Sequence, residues 1–349
     1  MTDCIVVGGG LIGMLCAREL KKSGLEVLLL DKGELGGESS WAGGGILSPL
    51  HPWQYPDEVN ELAKVGHLAY PQVAQALFEE SGVDPEYIRS GLLVLDSNEQ
   101  EKAMAWAKKW SMNLTVLKGQ KNLQDTVPGV ASKYDQGLWM PEIAQMRNPR
   151  LVKAARGSLS ALSVKFKEHV KVEGLNVVDG QIKGVVANGE SYHAGRVIIA
   201  GGAWSQELLK DSGDVPDINP VKGQMILFKG RPGLLKSMIL AGNRYLIPRK
   251  DGRILCGSTV EYSGFDKSTS DEARESLRRS AIEIFPAIET LELEHHWAGL
   301  RPGSPDGVPY IGGHKKIKGL YINSGHFRNG VILGIGSCRK LVTEIIQTN

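Results

Sequence analysis

Cys4-Ile5-Val6-Val7-Gly8-Gly9-Gly10-Leu11-Ile12-Gly13 is an apolar strand that runs straight into Gly-x-Gly-x-x-Gly and then into a helix. That order is the signature of a dinucleotide pyrophosphate site. Gly8 lets the strand turn sharply, Gly10 lets the backbone approach the diphosphate, and Gly13 lets the helix pack closely on the sheet, so the free N–H groups of the helix N-terminus face the anion. Leu25-Glu26-Val27-Leu28-Leu29-Leu30 reads as the second strand and ends at Asp31. An acid about twenty residues beyond the glycines is where a carboxylate accepts the ribose hydroxyls. Glycines alone would be ordinary turn punctuation. With strand, helix, second strand and terminal acid in register, the stretch reads as a nucleotide site in an α/β sheet.

Working outward, 349 residues are too many for one small core and suggest about two domains. Lys plus Arg (41) nearly balances Asp plus Glu (39), and the formal charge of +2 gives no electrostatic case for nucleic acid or an anionic membrane. No apolar stretch approaches the roughly 18 residues of a membrane span, and the first strand begins almost at once, so no insertion and a cytoplasmic location are expected. Cys4, Cys16, Cys256 and Cys338 lie far apart without C-x-x-C. This spacing argues against a disulfide framework, a zinc site or a dithiol pair, and the four read as small buried residues.

The loop Gly36-Gly37-Glu38-Ser39-Ser40-Trp41-Ala42-Gly43-Gly44-Gly45 directly follows the nucleotide acid, and its small residues allow close backbone approach to a ligand. A helical region from Asp57 to about Ser81 is expected to be interrupted near Pro71, followed by a strand at Gly91–Leu95 and a helix from near Pro149 to Leu162. Arg196-Val197-Ile198-Ile199-Ala200-Gly201-Gly202-Ala203 is a buried strand ending in glycines, the kind that returns to the same sheet beside FAD in two-dinucleotide-fold flavoproteins. No linker or low-complexity tract separates two domains, so the second is expected to be inserted in the first. One glycine fingerprint means one dinucleotide, and with FAD alone the electrons must pass to oxygen, a quinone or a protein.

Three further blocks carry the chemistry: Asn243-Arg244-Tyr245-Leu246-Ile247-Pro248-Arg249, Trp297-Ala298-Gly299-Leu300-Arg301-Pro302-Gly303 running on to Gly312, and Gly325-His326-Phe327-Arg328-Asn329-Gly330-Val331-Ile332-Leu333. With Pro220-Val221-Lys222-Gly223-Gln224 and the N-terminal fingerprint, they make the chain resemble, end to end, the D-amino-acid oxidase superfamily of FAD-dependent oxidoreductases, and within it the glycine oxidases that serve thiamine synthesis. The resemblance implies an α/β fold with a Rossmann-like FAD-binding domain and an inserted α+β substrate domain containing a mostly antiparallel sheet. The expected division is 1–83, 146–217 and 303–349 for FAD, and 84–145 and 218–302 for substrate.

By matched motif, the resemblance implies that Arg301 and Tyr245 hold the substrate carboxylate and Arg328 completes that site. It implies FAD contacts from Leu11, Ile12, Asp31, Lys32, Ser39, Ser40, Gly44, Gly45, Ile46 and Val172, and from His326, Phe327, Arg328, Asn329, Gly330, Val331 and Ile332, beside Gly8, Gly10, Gly13 and Gly201. It further implies a homo-oligomer. Ser48 and Val260, in loops after Gly45 and Gly257, are the positions expected to shape the side-chain pocket. A planar guanidinium matches a carboxylate bidentately, and Tyr245 can add a phenolic donor. The expected reaction is hydride transfer from the substrate α-carbon to flavin N5 with the amine neutral and no protein base. Oxygen then yields H2O2 and the imine yields a keto acid, or glyoxylate from glycine. His295 to Pro305 lacks the cysteine of covalently flavinylated relatives, so the FAD is expected to be noncovalent. The histidines show no metal spacing, and no metal is expected. A quinone-linked D-amino-acid dehydrogenase and an FAD-dependent tRNA- or protein-modifying oxidoreductase remain the open alternatives.

Overall fold

The computed structural model describes residues 2–347. A six-stranded sheet is ordered Tyr310–Gly313, Leu320–Ser324, Arg196–Ile199, Cys4–Val7, Val27–Leu30 and Lys165–Lys167. All its pairings are parallel except that of Tyr310–Gly313 with Leu320–Ser324. Cys4–Val7 lies at its centre with Val7 level with both Leu30 and Ile199. The central strands Arg196–Ile199, Cys4–Val7 and Val27–Leu30 are largely buried and consist mainly of Val, Ile and Leu, as covered parallel strands require. The glycine strand Arg196–Ile199 therefore does return beside the fingerprint strand.

Two glycines fix how the first helix, Leu11–Lys22, meets this sheet. Gly8 has φ +105°, and a Cβ there would stand 2.4 Å from the Ala200 carbonyl oxygen. A Cβ on Gly13 would stand 1.8 Å from the Gly8 carbonyl oxygen. Any side chain at either position pushes the helix off the strand tip.

The second large sheet has eight strands ordered Glu292–Gly303, Asn219–Lys229, Ile254–Gly257, Arg244–Pro248, Met238–Ala241, Leu92–Leu95, Gln136–Met140 and Thr115–Lys118. It is antiparallel except where Met238–Ala241 runs beside Leu92–Leu95. Two distant segments of chain thus build one sheet. A three-stranded meander, Val172–Val178, Gln181–Ala187 and Glu190–His193, packs on one face of the first sheet, where Val172, Ile182 and Val185 join Ile5, Val7, Val197 and Ile199 in one apolar cluster.

The helix Asp57–Ser81 is continuous, and Pro71 does not interrupt it. A proline in a helix interior removes one hydrogen bond and costs about 3 kcal/mol. Here Gly66, Ala69 and Tyr70 before it, and Val73, Ala74 and Leu77 after it, are all buried, while Pro71 itself faces solvent. Burial on both sides outweighs the lost bond. The Tyr70 hydroxyl donates to the carbonyl of Val331 in the closing helix Gly330–Gln347. The sequence reads Asn329-Gly330 as the opening of an apolar helix toward Thr348; the helix does begin at Gly330, and Thr348 lies outside the described residues.

All four cysteines are free and buried. The sequence spacing conceals one pairing: Cys16 and Cys338 place their sulfurs 3.1 Å apart, with the Asn323 side-chain amide 3.2 Å from Cys16 Sγ. Burial raises the Cys338 thiol well above its ordinary pKa, so it stays protonated.

Candidate active site

The two large sheets meet around one cavity of about 710 Å³. All the expected site residues line it except Gly13, Asn329, Ile332 and Val260. Gly13 and Ile332 act from behind the wall, Gly13 against Gly8 and Ile332 wholly buried in the core. Asn329 is buried, and its carbonyl accepts the Leu333 N–H in the first turn of the closing helix. Val260 is a correction: its side chain is 41 % exposed and stays outside the cavity. The strand Ile254–Gly257 ends just before it, and the turn that follows aims Ser258 inward instead.

On the nucleotide side, Asp31 Oδ2 accepts the Gly9 N–H at 2.5 Å and Oδ1 accepts the Gly33 N–H at 2.7 Å. These bonds fix the carboxylate at the strand tip, and each oxygen keeps a lone pair for a ribose hydroxyl. Burial raises the Asp31 pKa. Ser40 Oγ accepts the Leu11 N–H at 2.8 Å, and the Ser40 carbonyl accepts from Asn148 Nδ2 at 2.7 Å, so the cofactor loop is tied to the fingerprint helix and to the helix Asn148–Ala161. Lys32 Nζ sits 3.4 Å above the Trp204 ring, and burial lowers its pKa. From the other end, Gly330 and Val331 bring the N-terminus of the closing helix to the wall, where its partial positive charge favours an electron-rich ligand.

His326 is buried, and its Nε2 lies 2.9 Å from Ser337 Oγ. The Ser337 hydroxyl donates to the Gly334 carbonyl, so its oxygen is left to accept from Nε2–H. Burial pushes the His326 pKa down to about 3, which makes it a neutral hydrogen-bonding group.

On the substrate side, Arg301 Nη2 donates to Ser258 Oγ at 2.7 Å, and Nη1 donates to the carbonyls of Thr259 at 3.2 Å and Lys222 at 3.4 Å. Every one of these partners is neutral, and among the described residues Arg301 has no ion pair. Burial lowers its pKa. A desolvated cation held by neutral acceptors is a seat for an anion. Gly223 makes room for it, since a Cβ there would fall 2.0 Å from Arg301 Nη2. The Tyr245 hydroxyl, on the facing strand, has the Met225 sulfur at 3.9 Å. Lys222 Nζ binds Asp266 Oδ2 at 2.8 Å and Glu261 Oε2 at 3.2 Å, which steadies the loop that supplies Ser258 and Thr259 to Arg301. Arg328 lines this cavity and also a second one of about 600 Å³, shared with His51, Trp53 and Tyr55.

Sequence reasoning missed Ser258, Met225 and Trp204 on the wall. Ser258 carried a signal in Gly257-Ser258-Thr259, next to the suspected Val260. Met225 and Trp204 carried none beyond adjacency to quoted motifs. Among the described residues no cluster of His, Cys, Asp or Glu is arranged to hold a metal ion, and no helix is long and apolar enough to cross a membrane.

The cavity fits a flavin dinucleotide. It has a glycine-bounded helix N-terminus for the pyrophosphate, an acid for the ribose, a second helix N-terminus at the opposite end, and a volume in the range of ligand pockets. The family profile described as FAD dependent oxidoreductase matches residues 3–344. A glycine oxidase of Pseudomonas aeruginosa is 45 % identical over 97 % of this chain and 93 % of that protein. A bifunctional protein ThiO/ThiG of Synechocystis is 29 % identical over 95 % of this chain but only 50 % of its own length. The crystal structure of a glycine oxidase from Bacillus cereus superposes with a TM-score of 0.92 at 30 % identity, covering 100 % of this chain and 96 % of that one. With fold, cofactor cradle and sequence in agreement along its length, the chain belongs to the family of FAD-dependent oxidoreductases.

Proposed function

We propose that the chain oxidises glycine and other small amines, sarcosine and small D-amino acids among them, to the imine with O2 as final electron acceptor. The observation that carries this reading is Arg301, a cation on the wall of the flavin cavity whose protein partners are all neutral. Its fork takes the substrate carboxylate, Tyr245 adds a hydroxyl donor, and together they orient the α-carbon toward the cofactor. FAD held here would supply the redox chemistry, accepting a hydride equivalent from the substrate and passing two electrons to O2 to give H2O2. His326 is neutral and hydrogen-bonded, and among the described residues no acid lies within ion-pair reach of Arg301, which favours substrate entering as the free amine without a protein base. The imine then hydrolyses to glyoxylate and ammonia, or passes to thiazole assembly in thiamine synthesis, a role supported by likeness to a ThiO/ThiG protein.

The same reading divides the chain into a cofactor domain of residues 1–83, 146–217 and 303–349 and a substrate domain of 84–145 and 218–302. The two large sheets, which draw their strands from these two sets of segments, support the division.

The test is anaerobic bleaching of the flavin and aerobic peroxide formation with glycine, sarcosine, D-alanine and L-alanine. Glycine should give both. Arg301→Leu should lower kcat/KM for glycine about a hundredfold, since a charged hydrogen bond contributes about 1.5–3 kcal/mol. Bleaching without peroxide would favour a dehydrogenase, and no bleaching with any free amino acid would overturn the reading.

A further inference from the structure

Arg249 directly follows the strand Arg244–Pro248 that carries Tyr245, and its side chain reaches the cofactor loop. Nη2 donates to the Gly44 carbonyl at 2.8 Å, while Nη1 donates to the Met146 carbonyl at 3.1 Å and to Gln145 Oε1 at 2.9 Å. Gly44 lines the flavin cavity. The Met146 N–H returns to the Gly45 carbonyl at 2.9 Å, so one guanidinium joins both sides of the cofactor loop to the substrate sheet. The contact is close on the other side too: a Cβ on Gly44 would meet Ile247 Cδ1 at 2.9 Å and the Tyr245 ring at 3.3 Å.

The charge is as notable as the bonds. Arg249 is 9 % exposed, and all three acceptors are neutral. The nearest acids are engaged elsewhere, Glu86 with Arg147 and Arg150, Asp251 with Arg147 and Arg253. Burial, with the charge of Arg147 beside it, pulls the Arg249 pKa down to about 10, which still leaves it cationic at neutral pH. A structural staple between carbonyls and an amide requires only N–H donors. An unneutralised buried charge is costly unless something in the site uses it.

We propose that Arg249 is a positioning residue for the oxidation: it fixes Gly44 against the strand that carries Tyr245, and its unpaired positive charge favours the electron-rich, reduced form of the bound flavin. The positioning half rests on the reading that a small amino acid is oxidised in this cavity. The charge half needs only that FAD is bound there.

The experiment compares FAD-loaded wild type, Arg249→Met and Arg249→Lys by the two-electron midpoint potential of the flavin and by kcat and KM for glycine. In Arg249→Met the reduction equilibrium should become about tenfold less favourable, which is about 30 mV lower for a two-electron couple. Its kcat should fall about tenfold with KM within about threefold, because the carboxylate clamp is intact while the spacing to the cofactor is not. Arg249→Lys should restore the potential but not kcat, since a point charge cannot bridge the carbonyls of Gly44 and Met146 as a planar fork does. An unchanged potential in Arg249→Met, or a potential that Lys does not restore, overturns the proposal. If Arg249→Met does not retain FAD, Arg249→Gln, which keeps donors but no charge, is read against Arg249→Lys with the same criteria. Wild-type protein that is reduced by no amino acid yet shows the charge-dependent potential would sink the functional reading and leave the electrostatic role standing.

Discussion

Arg301 and His326 are both basic groups taken out of water, and they respond in opposite ways. The guanidinium titrates so far above neutrality that burial leaves it charged, while the imidazole gives up its proton. The second case has a measurable cost in acid. His326 titrates near 6.5 in the unfolded chain and at about 3 in the folded one, so below pH 6.5 the unfolded chain takes up a proton that the folded chain refuses. Its contribution to stability is full above pH 6.5 and drains away as the pH falls toward 3, at up to about 1.4 kcal/mol per unit. His326→Gln should therefore lose about 2 kcal/mol less than wild type between pH 6.5 and pH 5 in urea unfolding. Equal losses would mean the imidazole is not held neutral. The fingerprint glycines and Asp31 were legible because they fall at fixed spacing within one strand–helix–strand unit, whose residues lie together in the sequence. Arg249 was legible only as part of a motif, because its partner Gly44 is 205 positions distant and no local pattern encodes that meeting.

Among elements, the helix Asp57–Ser81 shows where local rules lose to packing. Pro71 reads as a break, and in an isolated peptide it would be one. Because the flanking turns are buried and Pro71 is exposed, removing the ring should restore a helical hydrogen bond without disturbing the core. Pro71→Ala is expected to stabilise the protein by about 2 kcal/mol, the gain in the helix less the entropy that alanine returns to the unfolded chain. Calorimetry would show this as a raised Tm, and a lowered Tm would mean the proline ring has a packing role. The turn after Ile254–Gly257 shows the complementary limit. Sequence located the right loop, but a shift of two residues, from Val260 to Ser258, separates solvent from cavity. That difference depends on turn geometry rather than residue type. The meander Val172–His193 escaped notice because its first and third strands are mostly exposed or half-buried and carry no clear apolar pattern, although Val172 itself was singled out by motif and lines the cavity.

At the scale of the molecule, the fold class, the inserted antiparallel sheet and the FAD dependence followed from motifs spread along the chain, and the sheet order and the Cys16–Cys338 contact did not. Motifs report which residues share a task, whereas sheet order follows from packing across the whole chain. Because the cavity wall is drawn from both sheets, ligand binding and global folding are linked. Free FAD at one hundred times its Kd should raise the unfolding free energy by about 2.7 kcal/mol, seen as a concentration-dependent Tm, and acid precipitation should leave colourless protein under a yellow supernatant. A Tm indifferent to FAD would break that link.

The cavity wall also carries a consequence for the order of synthesis. Gly8 and Val331 face the same space, and the fingerprint helix packs directly on the closing helix. The cradle therefore cannot close until the ribosome has passed Val331. A half-made chain, or one cut short by premature termination, presents the glycine turn without the helix that faces it. Cofactor binding by a cradle built in this way thus waits on synthesis of the closing helix.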